Sequence, residues 1–419
     1  MEEKKNRFAV HEDWAVVIAG FLIIILAIGG LNIPIPKYSW DTIQDLSNKV
    51  LSVSNLVAIG IQFIYVLVIA LLLALITSKP VRLFLAIVPV IYVLTIAALI
   101  LAGNAFLKSL NLEAVIFSLV IGLLIGNLFT LPDWLRKNLN GELFVKIGLV
   151  LLGTSVIFSD ILKAGSLGLI QALIVVLSVW YFAFWLCKKL EVDEEMSLML
   201  SSAVSICGVS AAIATAGAIK GDSKKLSYVI SLVLITAIPM MLFMPVIAKA
   251  LGLSQEVTGA WLGGSIDTTG AVVASGSLVG DTALKISTIV KFSQNVLLGI
   301  AAFAISLYWT YAQKPINGIA AEKPTLRVIW QRFPKFVLGF IGASLFFSFI
   351  LNAETVTTVK DGLKSIQGFW FVLAFTSIGL ETNIRDLIGS GSRKPLYAFL
   401  IAQTFNIFIT LLVAYFLFK

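Results

Sequence analysis

The chain consists of long apolar stretches joined by mostly short polar connections. About thirteen such stretches can be marked, and a helix of about 20 apolar residues is long enough to cross the hydrocarbon core of a bilayer. Only 13% of the 419 residues are charged and 59% are hydrophobic, a composition that excludes a soluble globular enzyme. The sequence therefore predicts an all-α polytopic membrane protein with about thirteen transmembrane helices. The stretches lie at residues 14–33, 56–77, 82–102, 114–131, 143–158, 168–187, 197–219, 226–249, 258–279, 286–311, 334–351, 367–381 and 395–418.

The charge distribution indicates a membrane orientation. The 31 Lys and Arg residues exceed the 23 Asp and Glu residues, but no basic run is longer than two residues, so we expect no nucleic-acid partner. When the connections are assigned alternately to the two sides, those on the side of the N-terminus carry more Lys and Arg. Positive residues accumulate on the cytoplasmic side. We therefore expect a multi-pass protein of the cell inner (plasma) membrane with a cytoplasmic N-terminus.

An internal repeat predicts an inverted architecture. Placing residues 147–166 over residues 373–392 without gaps aligns Asp160 with Asp386 and gives three further identical pairs. Seven segment steps separate the two copies, and an odd number of steps makes them run in opposite directions. Inverted repeats of this kind are typical of secondary transporters.

A second pair of similar segments carries more polar residues. SICGVSAAIATAG at residues 205–217 resembles SIDTTGAVVASGS at residues 265–277, and each is followed by Gly-Asp. Polar side chains and glycines at membrane depth are costly unless they line a cavity or meet partner groups. Two segment steps separate the copies, so simple counting makes them parallel. Either one segment is re-entrant or the similarity is convergent.

The motifs SICGVSAAIATAGAIKGD, GGSIDTTGAVVASG, TIVKFSQNVLLG and FTSIGLETNIRDL resemble the YeiH-type family of proposed sulfate exporters over residues 81–419. This resemblance implies a fold related to the cation/proton antiporter and bile-acid symporter superfamily, with a panel and an inverted-repeat core in which two discontinuous helices cross near mid-membrane. It also implies a transporter unit at residues 81–419, with residues 1–80 as extra N-terminal helices. Many members of the family have Ser-Ile-His-Glu where this chain has Ser265-Ile266-Asp267-Thr268.

The first candidate site lies where the earlier segment is broken. A helix that begins inside the membrane presents unsatisfied N–H groups and a dipole that attract an anion. Small residues at the same positions also allow helices to pack closely, so packing is the alternative. We expect Cys207 to act as a small hydrophobic residue. The candidate substrate-binding residues in this segment are Ser205, Cys207, Gly208 and Ser210.

The second candidate site surrounds Asp267, with Ser265, Thr268 and Thr269 beside it. An ionisable group in the middle of an apolar span is a functional hypothesis by default. The alternative is a carboxylate that caps a broken helix from within. We expect Asp267 to bind substrate and to couple the movement of an ion.

Three more polar residues complete the prediction. Lys291 and Asn295 make their apolar segment polar, and Lys291 is expected to pair with Asp267, to neutralise a bound anion, or to extend to the interface. Glu381 is expected either to bind a coupling ion or to pair with Arg385.

Neither cysteine, at positions 187 and 207, has a spacing typical of a disulfide or a metal site, and we expect no metal, no cofactor and no catalytic residue.

The sequence lacks the phosphate-binding and catalytic motifs of enzymes. We expect a secondary active transporter that moves a small inorganic or organic anion by alternating access, and the resemblance implies sulfate export. The expected partners are a small anion such as sulfate, the lipid bilayer and a coupling ion, H⁺ or Na⁺, and a homodimer is left open. The alternatives are a cation/proton antiporter that uses Asp267, and a sensor or channel that does not transport.

Overall fold

A computed structural model describes residues 10–31, 33–109, 114–136, 138–312, 327–382 and 393–419. In these ranges the chain is helical, with one isolated backbone bridge between Trp40 and Asn104. The helices are α1 (Glu12–Ile28), α2 (Ile43–Asp45, followed by a π-helix at Leu46–Val50), α3 (Val53–Ile76), α4 (Val81–Ala102), α5 (Ala105–Ser109), α6 (Ala114–Leu128), α7 (Asp133–Arg136), α8 (Gly141–Leu152, followed by a 3-10 turn at Gly153–Ser155), α9 (Phe158–Lys189), α10 (Glu194–Ser202, followed by a π-helix at Ala203–Cys207), α11 (Val209–Ile219), α12 (Ser223–Ala250), α13 (Gln255–Ser265), α14 (Thr269–Val279), α15 (Asp281–Ala312), α16 (Arg327–Arg332), α17 (Phe336–Leu345, followed by a π-helix at Phe346–Ile350), α18 (Ala353–Glu381) and α19 (Arg393–Phe418).

The helix lengths confirm an all-α membrane protein but do not reproduce the count of thirteen crossing helices. Within the described ranges, seven helices are long and apolar enough to cross a membrane: α3, α4, α9, α12, α15, α18 and α19. Two of the predicted stretches, 197–219 and 258–279, are each divided into two short helices. Apolar composition does not distinguish a broken segment from a continuous transmembrane helix, because it does not show where a helix breaks.

The chain forms two compact units. Unit 1 contains residues up to Phe158 together with Lys335–Asn383, and unit 2 contains Ser159–Pro334 together with the residues from Ile384 onward. In unit 1, α18 packs against α6 and α8, and α1 lies against α8 and α17. In unit 2, α13 and α14 pack along α15, and α19 packs against α13.

Charged side chains attach α1 to the rest of unit 1. The ammonium group of Lys146 on α8 lies 2.9 Å from the carboxylate of Asp13, and Lys79 lies 2.9 Å from Glu12. The second carboxylate oxygen of Asp13 accepts a hydrogen bond of 3.0 Å from the backbone N–H of Lys335. Buried ions need partners of this kind, since charges removed from water are costly when they are unpaired.

In unit 2, α10 and α11 form a helical hairpin, which we call hairpin 1 (residues 193–222). A continuous helix over α10 and α11 would be about 40 Å long. Instead the two ends meet, because the N–H of Asp222 donates to Glu195 at 3.3 Å and Lys225 pairs with Asp193 at 2.7 Å. Asp222 also caps α12, and the N–H groups of Lys225 and Lys224 hold the pKa of its carboxyl below the ordinary value.

The helices α13 and α14 form hairpin 2 (residues 254–280) in the same way. The side chain of Gln255, at the start of α13, lies 2.6 Å from the position that a Cβ on Gly280 would take, at the end of α14. The same side chain accepts a hydrogen bond of 3.3 Å from the N–H of Ala283. At Gly263 the backbone of Ser287 approaches so closely that a Cβ would lie 2.5 Å from its carbonyl oxygen, so only glycine fits there.

The hairpins lie at opposite ends of α12. This helix of 28 residues begins directly after hairpin 1 and ends just before hairpin 2, and its length is about 42 Å. Neither broken segment is therefore a single continuous helix, because the two ends of each hairpin lie together.

Candidate functional site

The tips of the two hairpins meet at one lysine. The ammonium group of Lys291, about a third of the way along α15, donates to the carbonyl oxygens of Ile206 and Ile266 at 2.8 Å each, and to the side chain of Gln294 at 3.0 Å. The two similar motifs, at residues 205–217 and 265–277, therefore meet at Lys291. Lys291 is 1% exposed, so it does not extend to the interface. Its three N–H donors are all used by these acceptors.

Helix ends explain why a buried cation is stable at this point. Ile206 and Ile266 lie at the carboxyl ends of the first helices of hairpin 1 and hairpin 2, where carbonyl groups lack intrahelical partners. The negative end of a helix dipole favours a positive charge there. Lys291 therefore binds and stabilises the carboxyl ends of two helices. It forms no ion pair within 4.0 Å of Asp267 in the structure, although the two charges interact over a longer distance.

Side-chain amides complete the contacts between the tips. Gln294 donates to the carbonyl oxygens of Ser205 and Gly264 at 3.3 and 3.0 Å. On α19, Gln403 donates to Ser265 O at 2.9 Å, and Asn406 donates to Val204 O at 3.0 Å. The residues on α19 were not predicted as site residues. Their signal in the sequence is the spacing of Gln403, Asn406 and Thr410 along one face of an apolar helix.

The turn of hairpin 1 leaves one helix start without a cap. Gly208 has φ +61° and ψ −111°, a conformation that a residue with a side chain rarely adopts, and it makes no side-chain cap for α11. Among the described residues no side chain accepts a hydrogen bond from the first N–H groups of α11. In hairpin 2, by contrast, Thr268 caps α14 by accepting from the N–H of Ala271 at 3.3 Å.

Asp267 lies directly beside this open helix start. A Cβ built on Gly208 would lie 3.0 Å from the Cβ of Asp267 and 2.6 Å from Val233 Cγ1, so the two backbones are in close contact. Asp267 is 2% exposed, and its Oδ2 has no hydrogen-bond partner. Its carboxyl group interacts with Gln403 and, at longer range, with Lys291. The carboxylate does not cap its own helix, since Thr268 fills that role.

The remaining predicted residues of the two tips differ in their surroundings. The Ser205 hydroxyl donates to Ser201 O at 2.7 Å within its own helix, so it is used locally. Thr269 accepts a hydrogen bond from Asn295 at 3.3 Å, while the Ser265 hydroxyl has no partner. Cys207 is buried in an apolar cluster with Ala172, Val176 and Leu298, which fits its interpretation as a small hydrophobic residue.

Some residues at the two tips are exposed and others are buried. Ser210 is exposed, and Thr268 and Thr269 are partly exposed, whereas Lys291 and Asp267 are buried. The starts of α11 and α14 therefore offer the accessible part of the site.

Glu381 belongs to unit 1. One of its carboxylate oxygens accepts hydrogen bonds from the N–H of Gly141 at 2.5 Å and from the hydroxyl of Ser377 at 2.8 Å. It thus binds the first turn of α8, which is a capping role. Arg385, its alternative partner, and Asp386, the repeat counterpart of Asp160, lie outside the described residues.

Comparison with known proteins identifies the family. The family model described as conserved hypothetical protein 698 matches residues 85–398. The chain belongs to this family. The match confirms the resemblance that was drawn from the motifs. No solved structure matches the chain.

The curated relatives are membrane proteins. The chain is 39% identical to a UPF0324 membrane protein of Rhodopirellula baltica over 346 residues, covering 80% of this chain and 63% of the relative. It is 37% identical to one of Nitratidesulfovibrio vulgaris over 340 residues (78% and 58%), and 31% identical to one of Nitrosomonas europaea over 317 residues (68% and 64%). The chain thus spans less than two thirds of the length of each of these relatives.

Proposed function

We propose that the protein is a secondary active transporter that moves a small anion, with sulfate and other oxyanions as substrates, by alternating access around the hairpin tips. The observation that carries this proposal is the open N-terminus of α11. Backbone N–H groups at a helix start, together with the helix dipole, bind anions in proteins. The family resemblance adds sulfate as the first substrate to test. We assign no catalytic role to any residue.

The arrangement of unit 2 supports a transporter with inverted repeats. Hairpin 1 followed by α12, and hairpin 2 followed by α15, form two similar elements. The hairpins lie at opposite ends of α12, so the helices that follow them run in opposite directions. Secondary transporters place their substrate site at the interface of such repeats, where helices are broken. The similar tip sequences, SICGVS and SIDTTG, then occupy equivalent positions.

The surroundings of the site favour a small ligand. The N–H groups at the start of α11 are next to the exposed Ser210, and Asp267 beside them is buried. The neighbouring exposed or partly exposed residues, Ser210, Thr268 and Thr269, are small and carry hydroxyl groups. These N–H and O–H groups are hydrogen-bond donors, and a tetrahedral oxyanion has several oxygen atoms that can accept from them.

We place the protein in the plasma membrane with the N-terminus on the cytoplasmic side, on the basis of its Lys and Arg distribution.

Uptake of labelled sulfate into proteoliposomes tests this function. Gly208→Ala should reduce sulfate uptake at least about tenfold, because the added methyl group meets Asp267 and Val233 and disfavours the positive φ that forms the turn. Gly252→Ala is the matched control, since Gly252 has φ +64° with nothing within 4 Å. Equal uptake by the two variants would contradict a substrate site at the start of α11.

A cation/proton antiporter is the second candidate. The observation in its favour is that Asp267 Oδ2 and Asn295 Oδ1, both acceptors, are buried without hydrogen-bond partners, and oxygen acceptors bind hard cations. The same proteoliposomes, given labelled sodium and a pH gradient, separate the two functions. Sodium movement without any sulfate movement would replace the anion proposal with this one.

A further inference from the structure

The helix caps of unit 2 reveal an exception. Four helices of unit 2 have a side-chain cap at their first turn, three at the bases of the hairpins and one at a tip: Asp193 for α10, Asp222 for α12, Ser254 for α13 and, at the tip of hairpin 2, Thr268 for α14. At α11 the cap residue is Gly208, and no side-chain bond is made. The N–H groups of a first helical turn have no intrahelical partners, so at the partly exposed start of α11 they are open to water or to a ligand.

Asp267 supplies a second, independent observation. Its carboxylate is 98% buried, it lies against Gly208, and its Oδ2 has no partner. The ammonium group of Lys291 is occupied by two carbonyl oxygens and Gln294. The start of α11, whose cap residue Gly208 lies against Asp267, is therefore a source of positive potential for this carboxylate, in addition to the start of α14 in its own chain. A carboxylate and a free oxyanion are attracted to such a position for the same reason.

We propose that Asp267 is a tethered anion that competes with the substrate for the start of α11. In the absence of substrate the ionised carboxylate balances the N–H groups of α11. A substrate anion replaces it there, and Asp267 takes up a proton, since two negative charges cannot share the position. When the anion leaves, the proton leaves Asp267 for the same aqueous side. One proton therefore moves in the same direction as each anion. This inference rests on the proposed anion transport and adds its coupling mechanism.

The neighbours of Asp267 allow it to carry this role. On α15 the charged group is Lys291, which stays bound to the helix ends, and on hairpin 1 the ionisable group is Cys207. From α19 the approaching group is Gln403, which is neutral, and α12 contacts Gly208 through the apolar Val233. The carboxyl of Asp267 is thus the group whose charge changes most readily when an anion arrives beside it.

The test compares full-length wild-type protein with Asp267→Asn in proteoliposomes that contain a pH-sensitive dye. Wild-type protein should accumulate labelled sulfate against its gradient when the outside is acidic, and sulfate movement should carry protons. Asp267→Asn should lose accumulation and proton movement but retain downhill sulfate flux, because the amide cannot compete as an anion. Downhill flux in wild-type should fall as the pH rises, by up to about tenfold per pH unit, while flux in the variant should stay constant. Asp361→Asn, on an exposed position of α18, is the matched control.

The outcomes separate this inference from the proposed function. Loss of all sulfate flux in a folded Asp267→Asn protein, with normal flux in Asp361→Asn, would overturn the tethered anion and leave anion transport intact. Proton-coupled accumulation that persists in Asp267→Asn would overturn it as well. If Asp267→Asn does not fold, the test is the rise in unfolding temperature that sulfate causes in wild-type protein, measured at several pH values. The proposal expects this rise to become smaller as the pH increases, and a rise that is independent of pH contradicts it. Absence of sulfate movement in wild-type protein would remove both proposals together.

Discussion

At the scale of single residues, Lys291 shows why a charge within an apolar span need not be a substrate ligand. Its charge and all of its donors are directed at the carboxyl ends of two helices and at Gln294. The lysine therefore holds the hairpin tips together and keeps the opposite helix ends, those with free N–H groups, at the accessible side. Asp267, which lacks such bonds at Oδ2, is the better candidate for a group that changes during transport.

Replacing Lys291 should test this positioning role. Lys291→Met should lower the midpoint of thermal unfolding in detergent by several degrees, because two buried carbonyl groups lose their donor, each at about 1 to 3 kcal/mol. Lys285→Met, on the same helix but partly exposed, should leave the midpoint unchanged. A Lys291→Met protein with normal stability but no sulfate binding would instead make Lys291 a direct ligand.

At the scale of elements, the two hairpins determine the direction of the chain. Each contains a break that reverses the helix, at Gly208 in hairpin 1 and at Ile266–Thr268 in hairpin 2. Since α12 separates the hairpins, they enter from opposite ends. Their tips meet about a third of the way along α12 and α15, where Val233 and Lys291 lie about 15 Å from the helix starts. This position suits a site that is open to one side at a time.

Cysteine labelling should detect the re-entrant hairpins. In a background with Cys187→Ala and Cys207→Ala, cysteines introduced at Glu195 and Lys224 should both react with an impermeant reagent from one side of the membrane. Cysteines at Gln255 and Asp281 should both react from the other side. The reason is that the two ends of each hairpin lie together. If the two ends of one hairpin react from opposite sides, that segment crosses the membrane and the inverted arrangement fails.

The sequence was sufficient to predict an all-α membrane protein but not the number of crossing helices or the breaks within them. Apolar length located the helices, and the motifs at residues 205–217 and 265–277 located both tips. Counting segments could not reveal the reversal, because it depends on contacts between residues far apart, such as Gln255 with Ala283. For the same reason the partners of Lys291 were not predictable. Every residue has a backbone carbonyl group, so the sequence does not indicate which of them binds a lysine. The sequence therefore favoured Asp267 as the partner of Lys291.

At the scale of the whole molecule, the N-terminal helices are an integral part of unit 1. The family model begins at residue 85, yet α1 packs between α8 and α17. Gly20 of α1 allows contact with Val150, and Gly339 of α17 allows contact with Val17. The pair formed by Asp13 and Lys146 links α1 to α8 in a region where both side chains are largely buried, with 10% and 19% exposed.

Removing α1 should therefore destabilise the protein even though it lies outside the region that defines the family. A chain that lacks residues 1–52 loses both carboxylates that lie within 4.0 Å of Lys146. An ammonium group left unpaired in a largely buried position costs about 1 to 3 kcal/mol after allowance for its residual exposure. The truncated protein should unfold at a lower temperature than the full chain, and Lys146→Met should restore part of the difference, because the unpaired charge is then absent. If the truncated chain is as stable as the full chain, or if Lys146→Met destabilises it further, the ion pair does not anchor α1 and the N-terminal helices are a separable addition.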